Sequence, residues 1–253
     1  MSLKSDLAGH LGRQAFAQVP KLAPLVVGGT IEAIMNQAIN GVGKLPGARA
    51  AAGRYLQRAH GDVELAIRRS RMDHVGMAGA QGFLTNLGGI VTAIVAMPAN
   101  FAGLLTVEAR SVAIIAHLRG YDIDDSRVRC AMMMCLLGAG AVSDMIKRGD
   151  LPTTPLGVAT APVSDKVLQR QIATRVFEAL VGGLGGKRAV AFIGKRVPVI
   201  GGAVGAANDG YTTTQVGKYA ASQFVSRRAT VDQAVVPTNC DLDEDEQPAT
   251  ADV

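Results

Sequence analysis

The sequence predicts an all-α fold, a Gly/Ala-rich helical bundle with a long apolar central hairpin. Apolar residues recur at helical spacing over most of the chain. A run of 33 residues, Val75 to Val107, holds no Asp, Glu, Lys or Arg. The 253 residues include 30 glycines, only 4% aromatics and no Trp, which is the texture of helices packed closely through small side chains. A hydrophobic share of 48% excludes general disorder.

Taken in order, Leu3, Leu7, Leu11 and Ala15 predict a short amphipathic helix over residues 3–18. Residues 1–25 are read as a segment apart from a helical domain at 26–237. A second helix comes after Pro20 and Pro24 and ends near Asn40, on Ile31, Ile34, Met35, Ala38 and Ile39. Gly41 to Gly47 is a glycine- and proline-punctuated turn. A basic stretch at 48–60 carries Arg49, Arg54 and Arg58, and Asp62 can cap the next helix, which bears Arg68, Arg69 and Arg71.

The charge-free run comes next. As one helix it would be about 50 Å long, whereas a bilayer core needs about 20 residues. Gly88-Gly89 and Pro98 interrupt it, and Asn86 and Asn100 bracket its most apolar part, Leu87 to Met97. Three arrangements fit: a helix kinked near Pro98, a hairpin entering a membrane partway, or two central helices of a soluble bundle. Leu87, Ile90, Ile94, Met97, Phe101, Leu104 and Leu105 form its apolar hairpin face.

Beyond Gly120, one of Asp124, Asp125 or Ser126 caps a helix predicted over 126–147. The stretch Gly149 to Val163, with three prolines, is the best internal boundary. Ser164 caps a helix expected to end near Val181, where Gly182, Gly183, Gly185 and Gly186 break it, and a final helix runs over 199–227.

Standard catalytic patterns are not met. Val181 and Arg188 stand where a phosphate-binding loop needs Gly and Ser or Thr, and no nucleophile elbow or H-E-x-x-H occurs. Three cysteines, Cys130, Cys135 and Cys240, give no disulfide framework, and the first two read as core thiols. His60 and Glu64 read as a helix-surface pair. No catalytic residue, cofactor or metal site is expected. The buried polar candidates are Glu108, which shares a face with Leu104, Leu105 and Val112, and Asn208 with Asp209. Arg110 points nearly opposite to Glu108, so that carboxylate needs a partner from another helix or a wet cavity. Gly201 and Gly205, four apart, are the predicted helix-packing glycines.

Charge is unevenly spread. Residues 238–253 contain six acids and no Lys or Arg, and read as a disordered tail that screens the body or aids solubility. Residues 1–237 then carry 26 basic and 15 acidic side chains, a formal +11. A basic body points to an anionic partner, and the scarcity of aromatics argues against nucleic acid. The N-terminus has no apolar signal region, so the body is expected in the cytoplasm.

Two blocks carry a family resemblance. Val107-Glu-Ala-Arg-Ser-Val-Ala-Ile-Ile-Ala-His-Leu-Arg-Gly-Tyr-Asp is similar to an apolar helix ending in a Gly-Tyr-Asp turn. Pro198-Val-Ile-Gly-Gly-Ala-Val-Gly-Ala-Ala-Asn208, with Gln215-Val-Gly-Lys-Tyr-Ala after it, is similar to a Pro-x-Ile-Gly-Gly segment and its helix. On these blocks the chain resembles the EcsC family over roughly residues 30–228. The resemblance implies an all-helical bacterial protein, from a family named after an operon that encodes an ABC transporter linked to secretion, and it brings no catalytic residues.

The leading expectation is a non-catalytic, membrane-associated protein at the inner face of the membrane. It would meet anionic lipid or a membrane protein through Arg68, Arg69, Arg71, Lys195 and Arg196. Two alternatives stand beside it: a soluble ligand-binding protein or enzyme with a polar cavity near Glu108 and Asn208, and an integral or pore-forming component. A homo-oligomer fits any of these.

Overall fold

A computed structural model describes residues 31–43, 45–87, 89–185 and 198–227, the side chains of Val42, 82–100 and 181–205 excepted. The fold is all-α, with nine helices among the described residues and a two-residue β-ladder. The predicted helix over 3–18 and the acidic segment 238–253 lie outside them.

Helix α1, residues 31–40, buries Ile31, Ile34, Met35, Ala38 and Ile39, the predicted face. The turn after it is a minimal hairpin. Strands β1, Gly41–Val42, and β2, Leu45–Pro46, pair antiparallel, Gly41 opposite Pro46. Glycine is required at both ends of this hairpin. Gly41 has φ +92°, and a Cβ there would lie 2.5 Å from the Leu45 carbonyl oxygen. A Cβ on Gly47 would lie 2.5 Å from the Ile39 carbonyl oxygen. Helix α2, Ala48–Arg58, comes next and buries Ala48, Ala51 and Ala52. Asp62 then caps α3, Val63–Leu87, by accepting from the Leu65 amide at 2.9 Å, as the sequence indicates.

The charge-free run forms two helices. α3 ends at Leu87 and α4, Gly89–Leu118, begins after Gly88, so the break falls at the glycine pair and Pro98 lies within α4. The helices run antiparallel. Arg110 contacts His74, and seven residues closer to the break on each helix a Cβ on Gly103 would meet the Gln81 side chain. The second half of α4 is bundle core: Phe101–Leu118 is apolar enough to cross a membrane, yet 72% of it is buried. Leu105 is buried, and Phe101 and Leu104 are half-buried. The side chains of Leu87, Ile90, Ile94 and Met97 lie outside the described residues.

Three expectations on the second half need correction. The helix predicted over 126–147 is two, α5, Ser126–Cys135, and α6, Ala139–Lys147, bent by 109°. Gly138, at φ +79°, turns the chain between them. Asp125, among the three candidates, caps α5 by accepting from the Arg127 amide at 2.8 Å. The proline-rich stretch is no boundary. It holds α7, Pro155–Ala159, whose Pro155, Val158 and Ala159 are buried, and which packs on α5. Finally, α8, Lys166–Gly185, continues through Gly182 and Gly183, and its cap is Asp165, which accepts from Val167 and Leu168 amides. Each glycine costs a helix only about 1 kcal/mol relative to alanine, too little by itself to end it.

Helix α9, Pro198–Gln223, lies antiparallel along α3 and also touches α4. A Cβ on Gly217 would lie 3.2 Å from Arg71 Nε, one on Gly210 3.6 Å from Val75 Cγ1, and one on Gly79 3.5 Å from the Ala206 carbonyl oxygen. Phe224, just beyond α9, is fully buried and meets Tyr121 edge-on, ring centroids 5.0 Å apart.

Gly41→Ala should destabilise the protein by about 1–3 kcal/mol, since the new Cβ adds a clash to a left-handed backbone. Thermal unfolding followed by circular dichroism checks this. For a chain of this size the midpoint should fall by roughly 2–4 °C per kcal/mol.

Candidate functional site

Glu108 and Arg110 sit two residues apart on α4, about 200° apart around the axis, so they serve different neighbours. Both are only 4% exposed. The Arg110 guanidinium donates from Nη1 to His74 Nε2 at 2.9 Å and from Nε to the Pro46 carbonyl at 3.0 Å. It thereby joins α4 to α3 and to β2. Among the described residues no carboxylate lies within ion-pair distance of it.

The role of His74 is set by its two bonds. Nδ1 donates to the Ser70 carbonyl at 2.7 Å, one helical turn back, which leaves Nε2 as the acceptor that a guanidinium requires. The imidazole is therefore neutral. Burial pushes it down from its ordinary 6.5 to about 4, and the Arg110 charge acts the same way against the Ser70 bond and Asp73. Burial also lowers Arg110. Beside this pair, the Tyr55 hydroxyl donates to Asp73 Oδ2 at 2.9 Å, tying α2 to α3. Burial, then the Asp73 bond, pushes Tyr55 up to about 12.

Glu108 faces the other way. Its Oε1 accepts from the Thr213 hydroxyl at 3.2 Å, and Thr213 is itself 2% exposed on α9. Thr213 is thus one partner from another helix of the kind the sequence demands.

Other predicted site residues are less united. Arg68 and Arg69 are exposed on α3, and Arg69 donates to the Arg58 carbonyl at the end of α2. Arg71 is half-buried against Gly217 and lowered by burial, so it is a packing residue more than a surface charge. Lys195 and Arg196 lie outside the described residues. Pro198, where α9 begins, is at the end of the bundle away from Arg68 and Arg69, because α9 runs antiparallel to α3. Asn208 was expected to be buried and is exposed, and Asp209 is half-buried. The reason is rotational: α9 turns Ala206, Gly210, Thr213 and Gly217 toward α3 and α4, which leaves Asn208 on the outer face. The surroundings of Gly201 and Gly205 lie outside the described residues. Glu64 pairs with Arg119 at 2.9 Å, and His60 precedes the helix at φ 53°, so the expected His60–Glu64 pair does not form.

The sequence reading missed His74, Thr213, Gly210, Gly217 and the Pro46 carbonyl. The glycines were legible as a seven-residue spacing, but a backbone carbonyl acting across the fold leaves no sequence signal.

An open groove of about 410 Å³ lies elsewhere, between the α5–α6 turn and α9, lined by Gly138, Gly140, Gln215, Lys218 and Tyr219 among others. Neither Glu108 nor Asn208 lines it. Among the described residues no three His, Cys, Asp or Glu side chains converge as a metal site. Cys130 and Cys135 are buried, and burial pushes the Cys130 thiol up to about 12 and raises Cys135 as well, so neither is a nucleophile at neutral pH.

Comparison with known proteins places this arrangement. The model of the EcsC protein family matches residues 57–228. The chain belongs to the EcsC family. The match opens at the last turn of α2 and takes in α3, α4 and α9, so the His74–Arg110 and Glu108–Thr213 contacts are internal to the family unit. The Pro46 carbonyl comes from outside it. No curated protein and no solved structure matched the chain.

The neutral His74 makes stability depend on pH. Its proton affinity is lower folded than unfolded, so the unfolded chain holds the extra proton between about 6.5 and about 4. The contribution is complete above the upper value and falls as pH drops through that window, by on the order of 3 kcal/mol in all. Urea unfolding at several pH values should show this loss, and His74→Gln, which keeps an acceptor for Arg110 but cannot titrate, should flatten it.

Proposed function

We propose that this EcsC-family protein is a non-catalytic, peripheral membrane protein that dips one end of its bundle into an anionic cytoplasmic leaflet. The observation that supports the reading is a shared boundary of charge. Past Asp73 on α3 there is no Asp, Glu, Lys or Arg up to Leu87; before Glu108 on α4 there is none from Gly89; before Asp209 on α9 there is none from Pro198. The His74–Arg110, Val75–Gly210 and Glu108–Thr213 contacts set these three limits at one level. Within these three helices that end is therefore free of charge, with Lys195 and Arg196 next in sequence before Pro198.

On α3 and α9 its depth suits one leaflet: their fourteen and eleven charge-free residues reach about 21 and 16 Å at 1.5 Å per residue, while the nineteen of α4 reach about 28 Å, against a hydrocarbon core of about 30 Å for the whole bilayer. Arg68 and Arg69 are exposed roughly 10 Å back along α3 from Val75, the depth of head groups. Each arginine near an anionic surface adds about 1 kcal/mol. Gln81, a polar residue inside the run, is held against Gly103 between the helices.

Flotation with vesicles tests the reading. Full-length protein should float with vesicles containing phosphatidylglycerol and much less with phosphatidylcholine alone. Arg68→Glu together with Arg69→Glu should weaken binding at least tenfold. Ile94→Arg, in the charge-free part of α4, should abolish insertion as read by resistance to a salt wash. Equal binding to both vesicles, unaffected by either change, would refute the proposal.

A further inference from the structure

Four exposed arginines crowd the corner where α2 meets α3. Arg54 and Arg58 lie one turn apart on α2, Arg68 and Arg69 are adjacent on α3, and the Arg69 guanidinium donates to the Arg58 carbonyl, which fixes the two pairs together. Among the described residues none of the four has a carboxylate within ion-pair distance. The acids nearby are engaged elsewhere: Asp62 caps α3, Glu64 pairs with Arg119, and Asp73 accepts from Tyr55. The four arginines outnumber the carboxylates of Asp62 and Asp73 beside them, so the patch keeps a net positive charge.

The last described residue sits beside it. The Arg227 amide donates to the Arg119 carbonyl at 2.8 Å, and its guanidinium lies 5.2 Å from the Tyr121 ring centroid. Arg119 in turn holds Glu64, one helical turn before Arg68. The described chain therefore ends within a few side chains of Arg68. The sequence beyond residue 237 is opposite to them in charge: Asp241, Asp243, Glu244, Asp245 and Glu246 fall within six residues, with no Lys or Arg from 238 to 253. Thirteen residues lie between Arg227 and Asp241, at most about 50 Å of chain, so the acids stay within reach of the patch at about millimolar effective concentration.

We infer that the acidic segment 238–253 docks in cis on the Arg54–Arg58–Arg68–Arg69 patch. This docking needs no membrane and stands apart from the functional proposal, but the two share Arg68 and Arg69, so a docked segment competes with anionic lipid for them.

Cys240 gives the test, because the other two cysteines, Cys130 and Cys135, are buried. A nitroxide on Cys240 of the full-length protein should selectively weaken amide resonances of residues 54–58 and 65–71 at low salt. The effect should vanish in about 1 M salt, where the screening length falls to about 3 Å. It should also vanish in Arg54→Glu with Arg68→Glu, and persist in Arg148→Glu, an exposed control on the α6 side. Absent broadening in this region at low salt, or broadening that survives high salt or the double change, would overturn the inference. The salt series on the unaltered protein decides the matter even where a variant folds poorly.

Discussion

The protein is organised around a cation that has been taken out of water. A buried guanidinium must find acceptors, and a nearby carboxylate is the usual solution. Arg110 instead uses a neutral imidazole and a main-chain carbonyl, His74 and Pro46. Each acceptor imposes a condition on the chain. His74 must be the tautomer protonated on Nδ1, which the Ser70 carbonyl enforces from within α3. Pro46 must point its carbonyl inward, which depends on the Gly41–Pro46 pairing and on two glycines that tolerate no Cβ. The short hairpin is thus a structural support for the core, although it lies outside the segment matched by the family model.

The same contacts divide the bundle lengthwise. On one side of the His74–Arg110 level, α3, α4 and α9 carry no charge; on the other, polar links multiply, with Tyr55 to Asp73, Glu64 to Arg119 and Arg69 to Arg58. Glu108 and Arg110 sit at the division and face opposite neighbours. An isolated charge at either position would be costly, and the two helices that flank α4 each supply one answer.

Much of the architecture was legible because helices announce themselves by period and by punctuation. Ile31 to Ile39 bury the predicted face, Asp62 caps the predicted helix, and Gly88-Gly89 marks the hairpin break. The errors share a pattern: in each, one local signal was given too much weight. Gly182 and Gly183 do not stop α8, the prolines of 152–162 sit in a segment docked on α5, and Gly138 breaks a helix that its periodicity would have continued. The candidate site was half visible. Glu108 could be recognised as a buried acid wanting a partner, but the choice of Thr213, and the rotation of α9 that exposes Asn208, depend on how three helices meet.

Gly210 and Gly217 are seven residues apart and both face α3. At these points one helix rests against side chains of the other with no Cβ between them. Sliding α9 until Tyr211 or Lys218 took the positions the glycines hold would require the Val75 and Arg71 side chains to move aside. The seam therefore works as a detent: α9 has one seat along α3, and leaving it means lifting off rather than slipping. A bundle built on such a seat moves as a rigid body or comes apart, and has little capacity for graded sliding between its helices.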